Sequence, residues 1–325
     1  WSTPRIIRLP NSGRGDADIH DDIYVAIMGG GMGSAFNKAG SNIFIINLED
    51  EFVPGKIEKI IDIEDSDESD LSNSIPASPV VITPDLTVGI TWRGALVYSG
   101  DLEGKITKIN LTNMVDDGMK PLANPVNLYD HTTIFNLGSS VANGRYMYHS
   151  MDAAIGRTFH EFWLYGGTGD YERINDVSSL LMDNVLFGIK DEAYPYYREV
   201  PWGTATKVAD LTECSDTTND TTGSLCPTDS DAGWVIHLSN YKKVTAEPTI
   251  YRGNVYYPIY RPDPGLDRCK LGTASICGVD DECGTNILSE LEEANPGFGI
   301  VGSYMSMRYG LKVTSPMSGV VIINA

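Results

Sequence analysis

The residues with the most chemistry in them are carboxylates. In Asp16-Ala17-Asp18-Ile19-His20-Asp21-Asp22 the acids fall at nearly every second position, a spacing that lets one loop turn several oxygens onto a hard cation. Asp16, Asp18, Asp21 and Asp22 are therefore candidate metal ligands, with Ca2+ as the ion; the same stretch also reads as a solvated acidic loop. A second tract, DIEDSDESD, carries Asp62, Glu64, Asp65, Asp67, Glu68 and Asp70. It lacks the glycine that lets a calcium loop turn sharply, and it reads as a charged loop. Arg14-Gly15-Asp16 spells the tripeptide by which many adhesive proteins engage integrins, and Gly13 beside it favours an exposed loop. These three residues are candidate binding residues.

Enzymatic motifs are missing where they would be expected. His20, His131, His149, His160 and His237 are scattered, with no HExxH and no paired metal spacing. No GxSxG elbow occurs. Met28–Gly33, MGGGMG, has the glycines of a phosphate loop but no following GK[ST] and no helical pattern. It reads as a strand end where backbones crowd.

Five cysteines, Cys214, Cys226, Cys269, Cys277 and Cys283, lie in the last third of the chain among Ser, Thr, Asp, Gly and Pro. None forms CxxC, which argues against a zinc knuckle. Disulfides in an oxidising compartment fit such loops better than exposed thiols. Cys214–Cys226 is the expected local pair, closing a loop with little apolar content to order it. The odd count leaves one of the others reduced or paired outside the chain.

The elements that must position these residues are short strands. The 325 residues are 42% hydrophobic with 33 glycines, and long helical periodicity is nearly absent, which favours an all-β protein. The formal charge of −20 opposes nucleic acid or an anionic lipid surface as main partner. No apolar run reaches the roughly 18 residues of a membrane helix. The chain opens on Trp1-Ser2-Thr3-Pro4 without Met or leader, and it is expected to be a processed piece whose export signal lies upstream.

The most regular unit is an antiparallel hairpin, with a strand at Ala95–Ser99, a turn at Asp101–Gly104 and a return at Lys105–Leu111. Ile106, Ile109 and Leu111 are its apolar positions and Lys105, Lys108 and Asn110 its polar ones; Gly100 and Gly104 are placed for positive φ. FWLYGGTGDYE (Phe162–Glu172) repeats its form, with NVLFGIKD (Asn184–Asp191) as return strand. Further strands are expected at Pro4–Leu9, in DIYVAIMGGG, in SNIFIINLED (buried on both faces), and in Gly55–Ile63 and SPVVI. GWVIHLS, TIYRGNVYYPIYRPD (turning at Arg252-Gly253-Asn254), TNILSEL and GVVIINA complete the set. Such recurrence reads as blades of a β-propeller: several irregular four-stranded blades with long loop insertions. A β-sandwich with long loops is the alternative.

Taken in order, WSTP…YVAIMGGG, SNIFIINLED and SPVV…ALVYSGDLEGKITKINL resemble the C-terminal propeller of PilY/PilC-type proteins, the type IV pilus-tip adhesins. In that family a Gly-rich strand end precedes a "lyvvDl" strand, and a "tPv" strand leads to "vYaGDlxGnlwrfDl", which Val97–Ile106 matches. FWLYGGTGDYE is similar to the family's "vyfGTGkyl". GWVIHL…KVTAEPTIYRGNVYYPIYRPD…C is similar to "GWyidL…Gervv…p.v..g.v.fttf.P…C". The resemblance runs from Trp1 to Ala325 and takes the whole of 1–325 as one such domain, an incomplete piece of a larger propeller. It implies an exported, non-enzymatic protein of the cell surface and pilus tip, with the outer membrane or periplasm as further locations. That protein would work with minor and major pilins and attach to a host or abiotic surface. An amino-terminal A-like domain and earlier blades would precede it. Several family members carry a DxDxDG calcium loop before the "YaGD" strand. Here that place reads TPDLTVGITWRG with Asp85 as sole carboxylate, too few oxygens for Ca2+.

The alternative class is a propeller oxidoreductase of the quinoprotein type. It should show a tryptophan docking repeat, whereas Trp1, Trp92, Trp163, Trp202 and Trp234 share no blade position. In an adhesin, contact is expected from long loops on a rigid frame. The longest insertions are Asp62–Asn73, Thr206–Asp231 and Pro262–Thr285, and deletion of Thr206–Asp231 is expected to spare the fold. The aromatics of EAYPYYREVPW (Glu192–Trp202) either form a contact surface or cover a blade.

Overall fold

The computed structural model describes residues 2–9, 22–33, 39–64, 73–83, 94–112, 128–174, 181–214, 226–239, 241–263 and 272–284, with backbone at 299–300 and 305–306. Among them the only helical turn is a single 3-10 turn at Val208–Asp210; the rest is strand and turn. The chain divides into two compact units, residues 1–137 with 193–206, and residues 138–192 with 207–325.

In the first unit, β1 (Arg5–Leu9), β2 (Ile23–Gly29), β3 (Asn42–Asn47) and β4 (Lys56–Asp62) form an antiparallel meander in chain order. Val25, Ile27, Ile43, Ile45 and Ile61 face inward and are buried with Leu9. The opposite face is also apolar, as cross-strand partners sharing it run Ile6–Ala26–Ile46–Ile57 and Met28–Phe44–Ile60. Ile6, Ile57 and Ile60 on that face are exposed, so β3 is fully covered on one side where the sequence predicts two. The triple glycine after β2 does mark crowded backbone: a Cβ on Gly29 would lie 2.5 Å from Ile75 Cγ2, and one on Gly30 2.8 Å from Gly40 O.

The second sheet holds β5 (Val80–Ile82), β6 (Gly94–Gly100), β7 (Lys105–Thr112) and β8 (His131–Asn136) as a meander, with the two-residue β12 (Thr206–Lys207) beyond β8. The predicted hairpin is β6–β7, paired from Gly94↔Thr112 to Gly100↔Ile106. Gly104 takes φ +74°, whereas Gly100 is an ordinary strand residue facing Ile106. Every residue of β6 and β7 is buried. The polar positions Lys105, Lys108 and Asn110 therefore do not face water, because the sheet is covered on both sides.

In the second unit, β9 (Asp152–Ile155), β10 (Phe162–Gly167), β11 (Val185–Lys190) and β14 (Gly233–His237) are antiparallel, and β13 (Thr212–Cys214) adds in parallel to β14. Tyr98 of β6 and Tyr165 of β10 both sit mid-sheet and fully buried, so the repeated motif occupies corresponding strands. The last sheet groups β15 (Lys243–Val244), β16 (Thr249–Tyr251), β17 (Asn254–Arg261) and β18 (Thr273–Asp280) around β17. Its β16–β17 turn has φ +52° at Arg252 and +79° at Gly253, the two left-handed residues of a tight hairpin turn. Trp163, Tyr165, Trp234 and Tyr257 form the core of this unit. Short pairs at β19 (Gly299–Ile300) and β20 (Met305–Ser306) complete the described strands.

Candidate functional site

At the head of the β6–β7 hairpin two carboxylates are drawn inside. Asp101 Oδ1 accepts from Lys105 N (2.9 Å) and Oδ2 from Asn73 Nδ2 (3.1 Å). The same amide donates to Glu103 Oε2 at 2.5 Å, and Lys105 Nζ pairs with that oxygen at 3.0 Å. Burial pushes the Asp101 carboxyl up to about 7, against the opposing pull of the Lys105 N–H and the Asn73 amide. With Leu102 N donating to Ser74 O (2.9 Å), this cluster clamps residues 73–75 to the hairpin. Its oxygens are turned onto the chain's own donors, so the arrangement positions a turn rather than offering ligands to an ion.

A second polar centre follows β18. Asp280 Oδ1 accepts from Glu282 N (3.1 Å) and Cys283 N (2.9 Å), and Glu282 accepts from Thr158 N (2.7 Å) and Phe159 N (2.9 Å). Trp234 Nε1 donates to Asp281 O at 2.8 Å. Asp281 Oδ1, Tyr165 OH and Trp163 Nε1 are buried with no hydrogen-bond partner. Burial first, then the charges of Asp280 and Glu282, raise the Asp281 carboxyl to about 6, and burial, followed by the charge of Asp281, raises the Tyr165 phenol. The turn is thus tied to Trp234, which packs edge-on against Tyr257, and Trp163 stacks on Tyr165.

His237 and His149 are shifted in opposite directions by their surroundings. His237 Nδ1 lies 2.7 Å from Asp183 Oδ1, a contact that raises its basicity, and Arg145 pairs with the other carboxylate oxygen. Burial lowers His149 to about 4, keeping it neutral. Among the described residues no three His, Cys, Asp or Glu side chains converge as a metal site would need.

Residues 193–204 decide between the two readings of the aromatic segment. Lys108 Nζ donates to Tyr196 O (2.7 Å), and Thr132 Oγ1 both donates to Val200 O (3.1 Å) and accepts from Val200 N (2.9 Å). Tyr197 is buried, so the segment covers the β5–β8 sheet. Trp202 is the exception. It is 67% exposed on a turn closed by Thr204, whose N and Oγ1 donate to Pro201 O at 3.0 and 2.7 Å, with Gly203 at φ +77°. A large flat apolar side chain held in water on a fixed turn is suited to stacking on a sugar ring or packing on a peptide.

Of the sequence-derived site residues, Arg14, Gly15, Asp16, Asp18 and Asp21 lie outside the described residues. Asp22 is described, and its buried carboxylate pairs with Arg8 Nε at 3.0 Å. The expected Cys214–Cys226 bridge is corrected, since Cys226 is bonded to Cys283, with Cα atoms 4.5 Å apart. Cys214 is instead a buried thiol at the end of β13, donating to Cys283 O at 3.1 Å. Proximity in sequence misleads because β13 carries Cys214 into the sheet while Cys226 meets the turn after β18. Two of the supposed insertions also contain framework. Thr206–Asp231 includes β12, β13 and Cys226, and Pro262–Thr285 includes β18, so deleting the former removes two strands and a disulfide. Sequence reasoning misses buried Asp101 and Asp281; the acidic turns are visible in the chain, their burial is not.

No family model matches the chain, and no curated protein matches it. Among solved structures, the C-terminal domain of Pseudomonas aeruginosa PilY1 superposes on 87% of the chain with a TM-score of 0.57 at 17% identity. The chain shares the fold of that domain. Its four- and five-stranded sheets are blades of a β-propeller. The match spans 59% of the solved chain.

Proposed function

We propose that the chain is a non-enzymatic type IV pilus biogenesis factor and pilus-tip adhesin, exported to the cell surface, where it works with minor and major pilins and attaches to a host or abiotic surface. The fold likeness to the PilY1 domain over 87% of the chain carries this reading. The Cys226–Cys283 disulfide agrees with an oxidising compartment, and a rigid all-β frame displaying Trp202 agrees with adhesion through exposed turns. Ca2+ held by the Asp16–Asp22 stretch belongs to the same proposal, and calorimetric titration of the purified protein tests it directly.

The deciding experiment uses piliated cells carrying the protein with Trp202→Ala, and separately with residues 215–225 replaced by a short Gly/Ser linker that keeps β13 and Cys226. Surface pili are expected at normal number and attachment reduced several-fold in at least one variant. Normal attachment in both moves the contact surface elsewhere. Normal piliation and attachment in cells lacking the whole protein overturns the proposal. A quinone absorbance band in the purified protein would point to the oxidoreductase class instead.

A further inference from the structure

Three cysteines meet in the second unit. Cys226 and Cys283 form the disulfide, and Cys214 Sγ rests 3.1 Å from the carbonyl oxygen of Cys283. Only the Cβ, Cα and carbonyl carbon of Cys283 separate that oxygen from Cys283 Sγ, so the thiol touches the same residue that carries one disulfide sulfur. The environments differ in a way that gives exchange a direction. Cys214 is 4% exposed inside the aromatic core, Cys283 is half-buried and Cys226 is exposed.

We propose that Cys214, Cys226 and Cys283 form an internal thiol–disulfide exchange site that moves the reactive thiol from the core to the surface. The Cys214 thiol first loses its proton to solvent base. Its thiolate attacks Cys283 Sγ, the Cys214–Cys283 bond forms as the Cys226–Cys283 bond breaks, and the electron pair leaves on Cys226 Sγ, which takes a proton from water. One disulfide and one thiol are present before and after, so no oxidant or reductant is consumed. The leaving group is the exposed sulfur, which water stabilises as thiolate. The two bridges close chain separations of 57 and 69 residues, so loop entropy barely distinguishes them. The exchanged form presents Cys226 as a surface thiol, able to form a mixed disulfide with a low-molecular-weight disulfide or with one on a partner protein.

The site is slow at neutral pH. Burial, followed by the neighbouring Glu213 charge, pushes the Cys214 thiol up to about 11; Asp280, Asp281 and Glu282 are the other acids of the turn that carries Cys283. The thiolate fraction therefore rises about tenfold per pH unit below that value.

The test is non-reducing peptide mapping of the intact 325-residue protein held at pH 7, 8 and 9 under conditions where its circular dichroism is unchanged. Aliquots are quenched in acid and alkylated in denaturant. A Cys214–Cys283 peptide should accumulate with alkylated Cys226, about tenfold faster for each pH unit. Cys214→Ser should leave Cys226 unlabelled throughout, while Cys277→Ser should exchange as the parent does. Retention of Cys226–Cys283 with Cys214 alkylated at every pH and time overturns the proposal. So does label on Cys226 without loss of label from Cys214. The parent protein alone distinguishes these outcomes, whether or not either variant folds. The outcome does not depend on whether the chain is an adhesin.

Discussion

Asp101→Asn should convert a pH-dependent protein into a less dependent one. The Asp101 carboxyl moves from 3.8 to about 7 on folding, mainly because burial disfavours its charge. The folded chain thus holds a proton that the unfolded chain releases. The stabilisation is complete below about 4 and is lost as pH rises through 7, and a gap of this size corresponds to roughly 4 kcal/mol. Asparagine carries no charge in either state. Its Oδ1 can still accept from Lys105 N, while its new N–H2 group meets the Asn73 amide that donates to Asp101. Turning that amide over sacrifices its bond to Glu103, at a cost of about 1 kcal/mol. The variant is therefore expected to be about 1 kcal/mol less stable than the parent at pH 4 and about 3 kcal/mol more stable at pH 8. Urea unfolding followed by tryptophan fluorescence measures both. Because every other titrating group is common to the two proteins, the difference isolates this carboxyl. A stability difference that stays constant between pH 4 and 8 refutes the reasoning.

The same unfolding assay separates two buried phenols. Tyr165→Phe removes a hydroxyl without a partner and should leave stability unchanged or raise it, whereas Tyr257→Phe abandons the bond to Phe187 O (3.1 Å) and should cost about 1 kcal/mol. Gly188→Ala places a Cβ 2.6 Å from the Trp234 ring, an overpacking expected to cost about 1–3 kcal/mol. In a Cys214→Ser background, where Cys283 cannot take Cys214 as a substitute partner, Cys226→Ser removes a bridge closing a separation of 57 residues and should lower stability by about 4 kcal/mol on the loop-entropy account; a loss below about 1 kcal/mol would mean that the unfolded chain gains little freedom.

Much of the frame is legible in the chain because strands announce themselves locally. The β6–β7 hairpin, the β10–β11 pair and the Arg252-Gly253 turn lie where alternation and glycine placement put them. What does not read is burial set by distant chain. Lys108 looks like a solvent-facing strand residue until Tyr196, 88 residues away, supplies a carbonyl and a cover. Cys214 looks like the partner of Cys226 until β18 brings Cys283 closer. The candidate site divides in the same way: Trp202 is marked by its aromatic neighbours, but nothing local separates it from Tyr196 and Tyr197, which the sheet claims.

The polar interior explains how a chain of net charge −20 sustains tight turns. Asp101, Asp170 and Asp280 follow or end strands, and each turns a carboxylate oxygen back onto backbone N–H groups two to four residues downstream. Each of these acids spends an oxygen on backbone N–H groups of its own turn, and those bonds fix the strand exit. The acids of these turns therefore belong to the frame.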